Sequence, residues 1–259
     1  MTYLAALILA VIEGITEFLP VSSTGHMIIA SSFIGISENP LTKNFEVVIQ
    51  LGAILSVVVI YWRKFLASFR FYLKLTVAFI PAAITGFILN DYIDSLLSNI
   101  WVVIISLFVG GIILIFVDTW FKHAEGSEEQ DMTWFQAFKI GCFQCIAMVP
   151  GVSRSASTII GGMVVGLNRK NAAEFSFFLA VPTMLGASAK KLMDSHKTIQ
   201  ANDALILLVG SFVAFIVALF AIKSFISFLQ RYGFKWFGYY RIVLGVVLAV
   251  VVLVLKIRL

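Results

Sequence analysis

Charge is what this sequence has least of. Of its 259 residues only 13% are Asp, Glu, Lys or Arg, about half the roughly 25% of an ordinary soluble domain. Apolar residues make up 60%, and the mean hydropathy is +0.99. A water-soluble globule of this length could not hide that much apolar surface. A soluble enzyme, a disordered chain and a nucleic-acid module are therefore excluded together. The net charge of +5 leaves no DNA footprint, because the basic residues sit at the ends of apolar runs and form no stripe. Cysteine is nearly missing too: Cys142 and Cys145 are the whole supply. A lone C-x-x-C without further ligands is too little for zinc, so both read as small hydrophobes on a buried helix. The start of the chain lacks a basic segment, and two acids soon follow its apolar run, so no cleaved signal peptide is expected.

Apolar runs are what the sequence has in abundance. A crossing helix takes about 20 largely apolar residues, and six stretches qualify, at about 44–62, 70–90, 100–120, 171–190, 203–225 and 239–257. Two further regions are as apolar but broken in the middle. The first, 4–36, is interrupted by Pro20-Val21-Ser22-Ser23-Thr24-Gly25-His26. The second, 134–166, is interrupted by Pro150-Gly151-Val152-Ser153-Arg154-Ser155-Ala156-Ser157-Thr158. Each half is too short to cross at about 1.5 Å per residue. This predicts helices that enter, turn near mid-membrane and leave on the same side. Such a turn survives in hydrocarbon only where protein or a wet cavity surrounds it.

Both broken regions run short helix, proline, hydroxyl-rich turn, short helix, and three full spans follow each. The halves, 1–120 and 133–259, read as an internal repeat joined by a polar linker at 121–132 with Glu125, Glu128, Glu129 and Asp131. A re-entrant pair adds no crossing and three spans add an odd number, so the second half is inverted relative to the first, as in many transporters. The expected fold class is an all-α polytopic membrane protein: six transmembrane helices plus two re-entrant helix hairpins, arranged as two inverted-topology repeats. Basic residues near short loops set the orientation. One side collects nine (Arg63, Lys64, Arg70, Lys122, Arg169, Lys170, Lys223, Arg231, Lys235) and the other six (Lys43, Lys190, Lys191, Lys197, Lys256, Arg258). The first side is expected to be cytoplasmic, with both termini outside.

Ionisable groups at membrane depth cost at least about 2.5–3.5 kcal/mol each and ask for a reason. Glu13, Glu17, His26, Glu46 and Arg154 stand out. Glu13 and Glu17 are four apart, on one helical face, where like charges repel. In apolar surroundings they share a proton unless a cation sits between them. Two hard oxygen donors suit Mg²⁺ or Ca²⁺ bridging to a phosphate; neutralisation by Arg154 alone is the plainer alternative. Ser22, Ser23 and Thr24 follow Pro20 where a helix beginning near Gly25 would expose free N–H groups, and Ser153, Ser155 and Ser157 repeat this after Pro150-Gly151. Capping accounts for one hydroxyl per turn, not for three, nor for an arginine. Two helix N-termini aimed at mid-membrane make an anion site, and Arg154 adds a planar fork for phosphate oxygens. His26, three residues from Ser23, is placed to contact that hydroxyl or the phosphorus; packing is its other reading. Gln50 and Gln144 are expected on the same polar seam, or in interhelical hydrogen bonds. Glu46 and Glu174 read as structural or cavity-lining, Asp118 as near enough to a span end to snorkel, and the aromatics as lipid-facing belt.

The run Glu13-Gly-Ile-Thr-Glu17-Phe-Leu-Pro20-Val-Ser-Ser-Thr-Gly-His26 resembles the acidic E-x-x-x-E region of the undecaprenyl-diphosphate phosphatases, also called bacitracin-resistance proteins. Pro150-Gly-Val-Ser-Arg154-Ser matches that family's second signature, P-G-x-S-R-S, and Phe45-Glu-Val-Val-Ile-Gln50-Leu-Gly and Ala173-Glu174-Phe-Ser-Phe-Phe are similar to its intervening stretches. One departure is Ala156, where glycine is common; no functional consequence is expected. The resemblance covers nearly the whole chain. It implies an integral phosphatase of the bacterial inner membrane, working at the outer face. The enzyme would convert undecaprenyl diphosphate to the monophosphate that carries cell-wall precursors, with a divalent cation (Mg²⁺ or Ca²⁺) as cofactor. The family's essential groups fall on Glu13, Glu17, Ser23, His26 and Arg154.

On this reading the polyprenyl tail lies among the spans and the diphosphate between the two turns. Glu13 and Glu17 hold the metal, while Arg154 and the turn N–H groups hold the equatorial oxygens. Substrate contacts are expected from Ser22, Thr24, Gly25, Gln50, Gln144, Gly151, Ser153 and Ser155. The nucleophile is Ser23, with His26 or Glu17 taking its proton, or else His26 itself. A transporter or flippase of a phosphorylated lipid would use the same inverted halves, and phosphate release in detergent separates the two. Partners are the polyprenyl diphosphate and the bilayer, with no nucleic acid; a homodimer is left open.

Overall fold

The computed structural model describes residues 1–37, 39–97, 99–121, 131–195 and 203–255. Among these the chain is all helix: α1 (Tyr3–Thr16), α2 (Ser23–Ile34), α3 (Pro40–Ile60), α4 (Trp62–Ala67), α5 (Phe69–Ile88), α6 (Asn90–Leu97), α7 (Ile100–Trp120), α8 (Trp134–Ile146), α9 (Arg154–Val164), α10 (Arg169–Ser195), α11 (Ala204–Tyr232) and α12 (Lys235–Leu255). Among the described residues six helices, α3, α5, α7, α10, α11 and α12, are long and apolar enough to cross a membrane. They coincide with the six apolar runs. α3 begins four residues earlier than its apolar run because the Asn39 side chain accepts from the Leu41 N–H at 2.9 Å and Pro40 fits the first turn. The short helices α4 and α6 are additions that apolar run length does not announce.

The two broken regions are pairs of short helices. α1 and α2 have 14 and 12 residues, and α8 and α9 have 13 and 11, all below the about 20 that a crossing needs. Both turns stop the helix in the same way. Ser22 and Ser153 sit at φ of 71° and 79°, a region that costs a non-glycine residue about 1–3 kcal/mol. Each then caps the helix behind it: Ser22 Oγ accepts from the Gly25 N–H at 3.3 Å, and Ser153 Oγ from the Ala156 N–H at 3.2 Å. Of the linker, residues 122–130 lie outside the described residues, while Asp131 accepts from Lys74 Nζ at 2.6 Å.

Helices in lipid gain little from apolar contact and associate through close backbone approach. α7 packs most heavily on α12, α3 and α1 on α11, and α5 on α8. Glycines set these crossings. A Cβ at Gly111 would lie 2.8 Å from the Gly238 carbonyl oxygen, one at Gly52 2.3 Å from that of Ser211, and one at Gly141 2.2 Å from that of Ala78. Phe18, within the first turn, is fully buried in the largest core cluster and lies edge-on to Phe177 at 5.4 Å.

Asp118 does not rely on snorkelling. It pairs with Arg169 Nη2 at 2.9 Å and accepts the Phe234 N–H at 2.6 Å, tying three helix ends together. Lys190 of α10 donates to the Asn90 side chain at the start of α6 at 2.5 Å. The outward surface is apolar, with Phe87 84% and Leu66 76% exposed, a surface suited to lipid and not to water. Cys142 belongs to that surface, which corrects the expectation that both cysteines are buried; Cys145 is half-buried and bonds Thr85 at 3.4 Å. α8 shows one face to the outside, so a residue three positions away need not share its burial.

Candidate active site

The site starts from one carboxylate. α1 ends at Thr16, but Glu17 keeps helical dihedrals and its N–H reaches the Glu13 carbonyl, so both acids stay on one face and both are buried. Ser23 and Arg154 each occupy the first helical position behind the serine caps of the two turns. Ser23 Oγ donates to Glu17 Oε2 at 2.6 Å, and Arg154 Nη2 donates to Glu17 Oε1 at 3.1 Å. The rest of the guanidinium is anchored on α10, where Nη1 donates to the Ser176 carbonyl at 2.8 Å and approaches its hydroxyl at 3.2 Å. The Phe18 ring lies 5.9 Å from Arg154 Cζ. A second cross-link holds the turns together: Ser155 Oγ donates to the Leu19 carbonyl at 2.7 Å.

These groups wall a cavity of about 150 Å³. Of the residues expected there, Glu17, Ser22, Ser23, Thr24, Gln50, Gly151, Ser153 and Arg154 line it, joined by Met148 and Met184. It is smaller than the roughly 300–1,000 Å³ of a drug-sized ligand pocket, large enough for an anionic headgroup and too small for a long apolar tail.

Other expected residues stand elsewhere. Gly25, Gln144 and Ser155 do not line the cavity; Ser155 is consumed by the turn cross-link, and Gln144 Oε1 accepts from Thr183 at 3.2 Å. His26 does not line it either. Its Nδ1 bonds the Ser22 carbonyl at 2.7 Å and its Nε2 the Tyr240 hydroxyl at 2.6 Å, with the two rings parallel. Glu13 lies behind Glu17, 1% exposed, and neither of its oxygens has a hydrogen-bond partner among the described residues. No group of three or more His, Cys, Asp or Glu suited to a metal occurs among the described residues. Two carboxylates do not fill the shell of a hard cation, so an ion held by Glu13 and Glu17 would need further oxygens from hydroxyl, amide, phosphate or water groups.

Two participants escape motif reading. Ser176 orients Arg154, and its place inside Ala173-Glu174-Phe-Ser-Phe-Phe is the one hint the sequence offers. Arg241 is fully buried and bonds main-chain carbonyls of both turns. An arginine inside the run 239–257 was a signal, since charge at depth asks for a function.

The family model described as bacitracin resistance protein BacA matches residues 6–247. An undecaprenyl-diphosphatase of Flavobacterium johnsoniae is 59% identical over 255 residues, covering 97% of this chain and 96% of that protein. Similar proteins of the same description occur in Bdellovibrio bacteriovorus, at 56% identity over 96% of both chains, and in Aquifex aeolicus, at 47% over 96% of this chain and 98% of the relative.

Proposed function

This chain belongs to the bacitracin resistance protein family, and from that premise we propose how its residues act on the substrate. The activity is hydrolysis of undecaprenyl diphosphate to undecaprenyl phosphate and inorganic phosphate within the membrane, which recycles the lipid carrier for cell-wall synthesis and confers bacitracin resistance. The observation that carries the mechanism is the single Glu17 carboxylate shared between the Ser23 hydroxyl and the Arg154 guanidinium.

The terminal phosphate enters the cavity while the polyprenyl chain stays among the helices. Arg154 and the free N–H groups at the start of α9 hold the equatorial oxygens, where charge spreads in the transition state. Ser23 Oγ bonds to the terminal phosphorus as its proton passes to Glu17 Oε2, and the bond to the bridging oxygen breaks, releasing undecaprenyl phosphate. Water then attacks the phosphoserine, phosphate leaves, and Ser23 regains its proton. The Ser23–Glu17 contact supports this route. His26, with both ring nitrogens engaged on Ser22 and Tyr240, anchors α2 to α12 in this scheme.

Glu13 and Glu17 would hold the divalent cation. Two buried carboxylate oxygens without partners on Glu13 are an electrostatic deficit that such an ion removes. When bound, it neutralises diphosphate charge and steadies the departing phosphate.

The cap equivalence of Ser22 and Ser153, together with the packing of α1 on α11 and of α8 on α5, supports two inverted repeats, each opened by a re-entrant hairpin. The nine-to-six excess of basic residues supports termini outside and a site open to the outer face. The test is phosphate release by purified protein in detergent, with and without chelator. Stoichiometric release that stops with chelator is the expected result; release indifferent to chelator removes the cation from the scheme, and no release refutes the mechanism.

A further inference from the structure

Arg241 belongs to none of the motifs and pairs with no carboxylate among the described residues, yet it is 0% exposed. A guanidinium has five N–H donors, and here all five go to main-chain carbonyls. Nε reaches Leu107 at 3.4 Å, Nη1 reaches Pro20 at 3.2 Å and Val152 at 2.9 Å, and Nη2 reaches Ser106 at 2.9 Å and Gly151 at 2.8 Å. Those carbonyls come from α7 and from both turns. Pro20 and Gly151 stand two residues ahead of the two serine caps, so one side chain grips the same point of each turn.

We propose that Arg241 is the positioning residue of the cavity: it fixes the spacing of the two turns and aims the Ser153 N–H at the headgroup. In a planar trans peptide the carbonyl and the following N–H point in opposite directions. With the Val152 carbonyl held on Arg241, the Ser153 N–H points away from it, and Ser153 lines the cavity. No protein acceptor takes that N–H among the described residues, whereas Val21 N and Val152 N are spent on Leu19 and Val149. The clamp also sets how far Ser23 stands from Arg154, since each follows its gripped turn directly. Among the described residues its charge is met by carbonyl dipoles alone, which favours an anion next door.

This inference rests on reading the Glu17–Arg154 cavity as the headgroup site, and the test separates the two. Arg241→Lys keeps the charge but offers three donors and no fork. Inhibition constants for orthovanadate, which adopts the five-coordinate geometry of phosphoryl transfer, and for inorganic phosphate are measured on purified protein in detergent. An inhibition constant does not depend on the folded fraction, so a purely structural defect leaves it unmoved. The vanadate constant is expected to rise about tenfold or more while the phosphate constant moves less than about threefold, and kcat falls about 10²-fold, as for one lost oxyanion donor. Gly110→Ala is the second variant: a Cβ there would meet Arg241 Nη2 at 2.3 Å, displacing the fork with Arg241 still present, and should reproduce the shift. An unchanged vanadate constant in either folded variant overturns the role of Arg241. If the constant is unchanged in Arg154→Lys as well, the cavity reading itself falls; if it rises in Arg154→Lys alone, only the clamp does.

Discussion

Ser23 and Arg154, 131 positions apart in a chain of 259, occupy the same place in their respective turns and bond the two oxygens of one carboxylate. One half of the chain supplies the hydroxyl and its acceptor, the other the guanidinium. Neither half holds the constellation alone, so the site exists only while the two turns stay in register.

Ser23→Ala should lower kcat by about 10²–10⁴-fold, the range for losing a positioned proton-transfer partner together with its reacting group. Labelled substrate quenched in acid, which preserves phosphoserine, and in parallel in mild alkali, which preserves phosphohistidine, should leave phosphate on Ser23 of the unmodified protein and on nothing in the variant. Label on His26 would reassign the nucleophile, and label on neither would point to direct attack by water.

Glu17→Gln removes the countercharge of Arg154, whose side chain is 13% exposed beside a carboxylate only 4% exposed. Breaking such a pair strands a charge, at a cost of about 3–5 kcal/mol. The thermal midpoint in detergent should drop by several degrees, activity should be nearly lost, and the metal titration should move to higher concentration. An unmoved titration curve would put the ion elsewhere.

Arg154→Lys should lose about 10³-fold in turnover, because one ammonium cannot bond Glu17, Ser176 and phosphate oxygens at once. Near-normal kcat in this variant would end the assigned role.

Gly52→Ala and Gly141→Ala place a methyl group 2.3 and 2.2 Å from a backbone oxygen on the facing helix. Each should destabilise the protein by about 1–3 kcal/mol as overpacked contacts force the helices apart. Gly86→Ala, whose Cβ would meet only the tip of Met148 at 3.4 Å, should behave like the unmodified chain. Equal thermal midpoints for all three would refute the close crossings.

Much of this is legible in the sequence alone. Span positions follow from run length against bilayer thickness, and the broken regions from proline and hydroxyls in an otherwise apolar stretch, both local properties. Glu17 and Arg154 announced themselves because a charge in hydrocarbon is costly wherever it sits. Which hydroxyl or nitrogen meets which carboxylate was not legible. His26 lies nearer in sequence to Ser23 than Glu17 does, yet its ring goes to Tyr240, 214 positions away. Arg241 is the extreme case, for its partners are carbonyls up to 221 positions distant. Every residue has a carbonyl, so no residue type marks them; only the packing of α12 on α7 and the turns decides which ones a guanidinium finds.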